Sequence, residues 1–315
     1  MAAKIPGNGV ESSGAFTVGA AGTASNLAGI PFYRNDTSSI YTHDVSGTDD
    51  TAALNTAYGI TALDAITTGD NNTVMGSAAG GAITEGHRNV FVGQGAGLAI
   101  TTGTHTVAIG NAAASGYDTE TNNIAIGHVA LGGSVAGGEY NVAVGNYTLD
   151  ALTSGDNNTA IGYNAGSANQ SGADTVYIGY QAGTACTSSG NVLIGKDAGL
   201  SMTSGESNIH IGIRAGDGYD TESNNLSIGA DALGGSVAGG EYNVAVGNAT
   251  LDALTSGDDN VAVGYNAGND LTTGSDNTLI GKQAGDGIQS GSNNVCIGSH
   301  TTIGSTSVNN AITIG

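Results

Sequence analysis

The 315-residue chain carries 27 Asp+Glu against 6 Lys+Arg, a formal net charge of −21. It therefore has no basic face with which to neutralise phosphates or anionic lipid, and nucleic acid is excluded as an expected partner. With 55 Gly, 2 Pro, no Trp and 3 Phe the chain cannot fill two ordinary globular cores, yet 39% hydrophobic and 10% charged residues do not describe a charge-driven disordered tail; a periodic architecture remains.

Residues 1–50 come first and lack the pattern that follows. The opening Met1 to Val10 holds Lys4 but no apolar h-region, and no run in the chain approaches the ~18 apolar residues of a membrane span, so neither an export signal nor membrane insertion is expected. Pro6, Phe16, Pro31, Phe32 and Arg34 break any repeat, and the segment reads as an N-terminal attachment or capping region.

From residue 51 to 315 the chain is a repeat. A glycine following an apolar residue recurs at Gly59, Gly76, Gly93, Gly110, Gly127, Gly145, Gly162, Gly179, Gly195, Gly212, Gly229, Gly247, Gly264, Gly281, Gly298 and Gly315, about 17 residues apart. Before each marker glycine a variable residue is flanked by an apolar one next to the glycine and, two positions earlier, by one that is almost always β-branched, as in Val107-Ala108-Ile109 and Val176-Tyr177-Ile178. Such alternation predicts a short strand whose flanking residues share one face and whose middle residue takes the other.

Three residues after the marker an Ala recurs (Ala79, Ala113, Ala165, Ala182), small enough for the inside of a narrow coil. About seven after it an apolar residue recurs (Ile66, Ile83, Ile100, Leu152, Met202, Leu254), which predicts a second strand. About ten after it a glycine recurs (Gly69, Gly86, Gly103, Gly155, Gly205, Gly257), and a tight bend with positive φ is expected there. Proline is absent beyond Pro31, as expected where nearly every N–H serves a neighbouring coil.

Asn precedes the strand in coil after coil: Asn72, Asn89, Asn123, Asn141, Asn158, Asn191, Asn208, Asn225, Asn243, Asn260, Asn277 and Asn294. Stacked ~4.8 Å apart, these side chains form a structural ladder rather than catalytic groups. The expected fold is all-β: a parallel β-solenoid of about 16 coils of about 17 residues, on the order of 70 Å long. A larger duplication lies on top, because the stretch from Tyr117 to Gly166 recurs almost verbatim from Tyr219 to Gly268. Copying whole coils lengthens a rod without altering its cross-section.

One thin roll buries little apolar area against its ordering entropy, which argues for a homotrimer of rolls sharing an interface. The unit Asn-x-Ala-[Ile/Val]-Gly-x-x-Ala resembles the head repeats of YadA-type trimeric adhesins, and the Thr-Thr-Gly form of the repeat is similar to repeats of bacteriophage tail and capsid fibres. The resemblance covers about residues 51–315 and implies a left-handed β-roll assembled as a homotrimer.

Without an export signal, a coiled coil or a membrane barrel, the expected protein is a structural phage fibre. It would assemble in the host cytoplasm, bind a virion protein through residues 1–50, and meet a host cell-surface receptor or glycan. A trimeric adhesin head on a bacterial cell surface is the first alternative. The second is an ice- or mineral-binding solenoid using Thr67, Thr101 and Thr272. The final strand Asn310 to Gly315 leaves an open edge that needs covering, by another protein on the tip, by the trimer itself, or, as the resemblance to phage fibres implies, by a C-terminal chaperone segment since removed.

No enzyme and no cofactor is expected. His43, His87, His105, His128, His210 and His300 fall at unlike repeat positions, and His87 with His105 offers too few ligands for zinc. Gly93-Gln94-Gly95-Ala96-Gly97 has no helix behind it to hold a phosphate. Asp70, Glu139, Asp156, Glu206, Glu241 and Asp258 form an acidic corner, in which Asp70, Asp156 and Asp258 are weak Ca²⁺ candidates beside the simpler reading of a solvated ridge. Tyr163, Tyr180 and Tyr265, next to marker glycines, are candidate surface-binding residues, set against plain corner packing. Cys186 and Cys296 lie in distant coils, beyond the ~5.5 Å Cα spacing of a disulfide.

Overall fold

A computed structural model describes residues 25–27, 30–32, 40–41, 51–133, 138–218, 220–235 and 240–315. Strands β1 (Ser25–Leu27) and β2 (Ile30–Phe32) pair antiparallel. A single parallel sheet of 17 strands then runs from β3 (Ile40–Tyr41) and β4 (Thr56–Tyr58) to β18 (Val295–Ile297) and β19 (Ile312–Ile314). Each strand pairs in register with the next, Thr159 beside Val142 and Val176 beside Thr159, so the chain climbs one coil per strand. The pairing ends at β3 and β19, which makes the ladder an open rod and not a closed barrel. No helix occurs among the described residues. Because Ile40–Tyr41 already pairs with Thr56 and Ala57, the sheet reaches back into the segment expected to lie outside the repeat. The rest of the attachment or capping role expected for 1–50 lies outside the described residues, apart from β1 and β2.

Each coil contains one strand, not two. The apolar residues expected on a second strand (Ile66, Ile83, Ile100, Leu152, Met202, Leu254) are all fully buried, but they sit in a run of tight turns, where Ile66 N–H returns to Leu63 O and Leu152 N–H to Leu149 O. Single residues in left-handed conformation, such as Thr61 (φ 55°) and Leu63 (φ 56°), curl the backbone too tightly for an extended segment.

The strand's middle residue is the one inside. Ala57, Val74, Phe91, Ala108, Tyr177, Leu193, His210 and Cys296 are buried, while their β-branched neighbours face outward. The cross-section stays constant through a size exchange four residues after the marker. Ala143 and Ala245 are paired with Leu149 and Leu251, whereas Tyr177, Leu193 and His210 are matched by Gly183, Gly199 and Gly216; where both positions are small, as at Ala160 with Gly166 and Ala262 with Gly268, large side chains of the two adjacent coils (Leu149 and Tyr177, Leu251 and Leu279) close over the gap. A Cβ on Gly183 would sit 2.5 Å from the Tyr177 ring, and one on Gly216 2.5 Å from the His210 ring. Close packing in so narrow a core leaves room for one large group per layer.

The corner glycines have a different cause from the one expected. Gly69, Gly155 and Gly274 are not among the residues with positive φ; that conformation falls two residues later, on Asn71 (φ 60°), Asn157 (φ 59°) and Asp276 (φ 59°). What demands glycine is close approach: a Cβ on Gly155 would lie 2.1 Å from the carbonyl oxygen of Gly172 in the next coil.

Candidate functional site

The twelve Asn of the ladder are all buried, joined by Asn55 at the lower end, with Thr106 and Thr175 taking two rungs. Asn158 shows the wiring. Its backbone N–H and Nδ2 donate to Asn141 Oδ1 (2.9 and 3.0 Å), Nδ2 also donates to Gly172 O (2.9 Å), and Oδ1 accepts from Thr175 N–H (3.1 Å). The expected ladder therefore exists, though each rung bonds mainly to backbone and amide-to-amide bonds are added only at some steps, such as Asn260 to Asn243 and Asn294 to Asn277. Placing the Asn just before the strand lets its side-chain oxygen accept from a backbone N–H of the next coil that the sheet does not reach. Every rung is consumed internally.

In the acidic corner the three Asp accept backbone hydrogen bonds from the preceding coil. Asp70 Oδ1 accepts from Ala53 N–H (2.7 Å), Asp156 Oδ1 from Glu139 N–H (2.8 Å) and Asp258 Oδ1 from Glu241 N–H (2.9 Å). Among the described residues no group of three His, Cys, Asp or Glu converges on a point where a cation would sit. The Thr corners use their donors along the rod: Thr67, Thr101 and Thr272 hydroxyls donate to the carbonyls of Thr84, Asp118 and Gln289 one coil on. This gives the ice-binding alternative no support. His87 and His105 do approach, with ring centroids 6.0 Å apart, and Arg88 Nη1 lies 3.3 Å from His105 Nε2. A guanidinium against that nitrogen disfavours a cation there. Cys186 and Cys296 are both buried and free.

His210 interrupts the apolar column. Its Nδ1 lies 2.8 Å from Ser227 Oγ, and full burial pushes its pKa down to about 4. The folded chain holds this imidazole neutral while the unfolded chain protonates it below about 6.5, so stability is lost as pH falls from about 6.5 to 4. His210→Leu, the residue type at Leu193 and Leu279 of the same column, is expected to abolish about 2 kcal/mol of that loss between pH 7 and 4.5. Urea unfolding of both proteins at pH 7 and 4.5 measures it. An unchanged difference between the two pH values would refute the assignment to His210. Asp217, raised to about 6 mainly by burial, contributes with the opposite sign in both proteins and cancels from the comparison.

Two surface features remain. The first is the outward face of the sheet, where two columns of mostly Ile, Val, Leu and Thr, with Tyr58 and Met75 near one end, run the length of the rod; Ile161 is 40% exposed and Ile280 39%. The second is a row of exposed rings beside the marker glycines. Tyr163 and Tyr180 stack (centroids 5.5 Å, planes 15° apart), Tyr147 meets Tyr163 edge-on at 6.1 Å, His128 meets Tyr147 at 5.1 Å, and Lys196 Nζ lies 5.8 Å from the Tyr180 ring. Tyr265 stands apart, with Ala249 and Lys282 where Tyr163 has Tyr147 and Tyr180. The sequence reading selected Tyr163 and Tyr180 but missed Tyr147, which sits two residues after its glycine instead of one, at the position that Asn164 and Gln181 take in the next two coils.

Among the described residues no helix is long and apolar enough to cross a membrane. In comparisons with protein families, curated proteins and solved structures, no match to the chain was found.

Proposed function

We propose that the chain is a structural rod that functions as a homotrimer, as the shaft of a bacteriophage fibre that meets the host surface. The outward apolar face of the sheet carries this reading. Side chains that a solitary rod would leave in water recur at two positions per coil, over a length on the order of 70 Å and a width of about 10 Å. A footprint of roughly 700 Å² exceeds the 300–600 Å² of the largest patch on a typical monomer. Burying it against copies of itself removes that cost, and a straight face with a fixed coil spacing matches itself coil for coil. The interior supports a structural role, since its column of Asn and Thr is occupied in holding coil to coil. The likeness of the repeat to phage fibre repeats supplies the virion assignment.

Light scattering after size exclusion is expected to give three times the 30.6 kDa chain mass. Ile161→Lys with Ile280→Lys should reduce it to the single-chain mass while the β-sheet circular dichroism is kept. A wild-type protein that is monomeric at micromolar concentration sinks the trimer. Immunogold labelling of phage particles against labelling of intact bacteria separates the fibre from a bacterial surface adhesin.

A further inference from the structure

The row of rings borders an open groove of about 520 Å³, lined by Tyr147, Asp150, Tyr163, Asn164, Ser167 and Thr184 among others. Its composition differs from that of the strand face: aromatic surface alternates with a carboxylate, an amide and two hydroxyls within three successive coils. We propose that this groove binds a neutral, linear glycan lying along the rod axis.

Three observations point to that ligand class. Ring-to-ring steps of 5.1, 6.1 and 5.5 Å repeat along the rod at a spacing comparable with one pyranose unit of an extended glycan. The C–H faces of such a chain suit aromatic surface, and its hydroxyls suit the carboxylate and amide between the rings. Neutrality follows from charge. The groove's ionisable wall is Asp150, and the chain around it is strongly acidic at −21, so a uronate or sialylated chain is repelled.

The internal duplication supplies the third observation. The copy from Tyr219 to Gly268 keeps Asp252, Asn266 and Tyr265 at the positions of Asp150, Asn164 and Tyr163, yet has Ala230 and Ala249 in place of His128 and Tyr147. One coil further, Lys282 stands for Tyr180 and Asp286 for Thr184. The two stretches differ at nine positions, and two of these remove rings of the row while Tyr265 is kept. Coil folding does not require those rings, because the same backbone closes with alanine, and Ala249 holds φ 51° against 55° for Tyr147.

The inference goes beyond the structural reading and holds whatever the oligomeric state. Its test uses the whole chain and its own tyrosine fluorescence, which no Trp masks. Linear hexamers of β-linked glucose, α-linked glucose and β-linked N-acetylglucosamine are titrated alongside hexagalacturonate, and the mass of each sample is checked by light scattering. At least one neutral hexamer is expected to bind, and hexagalacturonate at least tenfold more weakly. Tyr147→Ala and Tyr163→Ala should each weaken the neutral ligand at least tenfold, while Tyr265→Ala stays within twofold of wild type. All three positions are exposed, and alanine is the natural residue at Ala249, so these variants keep the fold. No binding by any neutral hexamer, equal binding of hexagalacturonate, or undiminished binding by the Tyr147→Ala, Tyr163→Ala double variant would each overturn the site. A change of mass with glycan binding intact would instead count against the trimer alone.

Discussion

Gly162→Ala is expected to destabilise the rod by about 3–5 kcal/mol, far more than the usual cost of adding a methyl group. Two penalties coincide at this residue. Its φ of +140° lies where an L side chain is strained, and a Cβ there would stand 2.2 Å from the carbonyl oxygen of Gly179. Neither is relieved locally, because every marker glycine from Gly59 to Gly281 lies against the next one in the same way, so a shift in one coil displaces its neighbours. Gly95→Ala is the control. Gly95 has φ +63° with nothing within 4 Å of its would-be Cβ, and the equivalent position in other coils holds Ala78, Ala112 or Gln181 in the same conformation. Its change should stay within about 1 kcal/mol. Urea unfolding of the two variants measures the contrast, and similar midpoints would show that the marker position is not constrained by its neighbour.

Asn158→Ala should cost about 3–4 kcal/mol, because the side chain serves three partners at once. Its loss strands the Thr175 N–H, the Gly172 carbonyl and one lone pair of Asn141 Oδ1 in a site that excludes water. Asn158→Thr should cost less, since Thr106 and Thr175 already occupy rungs, with Thr175 Oγ bonded to Ala173 O. Hydrogen exchange gives the local signature: the Thr175 amide should exchange at least tenfold faster in the alanine variant, while amides several coils away, such as Val261, keep their protection. Unchanged protection at Thr175 would mean that the ladder is a by-product of packing and holds nothing.

Much of this was legible in the chain itself. The interval between marker glycines set the coil length, the β-branched pairs located the strands, and the recurring Asn announced a buried polar column. The exchange of Ala143 with Leu149 for Tyr177 with Gly183 was also present as a pairing of sizes two columns apart, but it has meaning only once both columns are known to share one interior. The second strand was misjudged because a buried apolar residue every 17 positions looks the same whether the chain around Ile66 is extended or curled. The glycine at the corner was assigned to conformation when Gly155 is there for the sake of Gly172, a residue in another coil.

By itself, the sequence determined the period, the one-dimensional stacking and the in-register pairing, because each depends on residues repeated at a constant interval. Three matters were decided only by the tertiary structure. Alternation in Val107-Ala108-Ile109 states that two faces exist but not which is wet; closure of the coil decides it, since the narrow interior accepts one side chain per strand and leaves the β-branched pair outside. The identity of the glycines that cannot change depends on contacts between coils, which no single repeat contains. The row of rings likewise arises only when the coils are stacked, which brings Tyr147 and Tyr163 onto one edge although they follow their glycines by different counts.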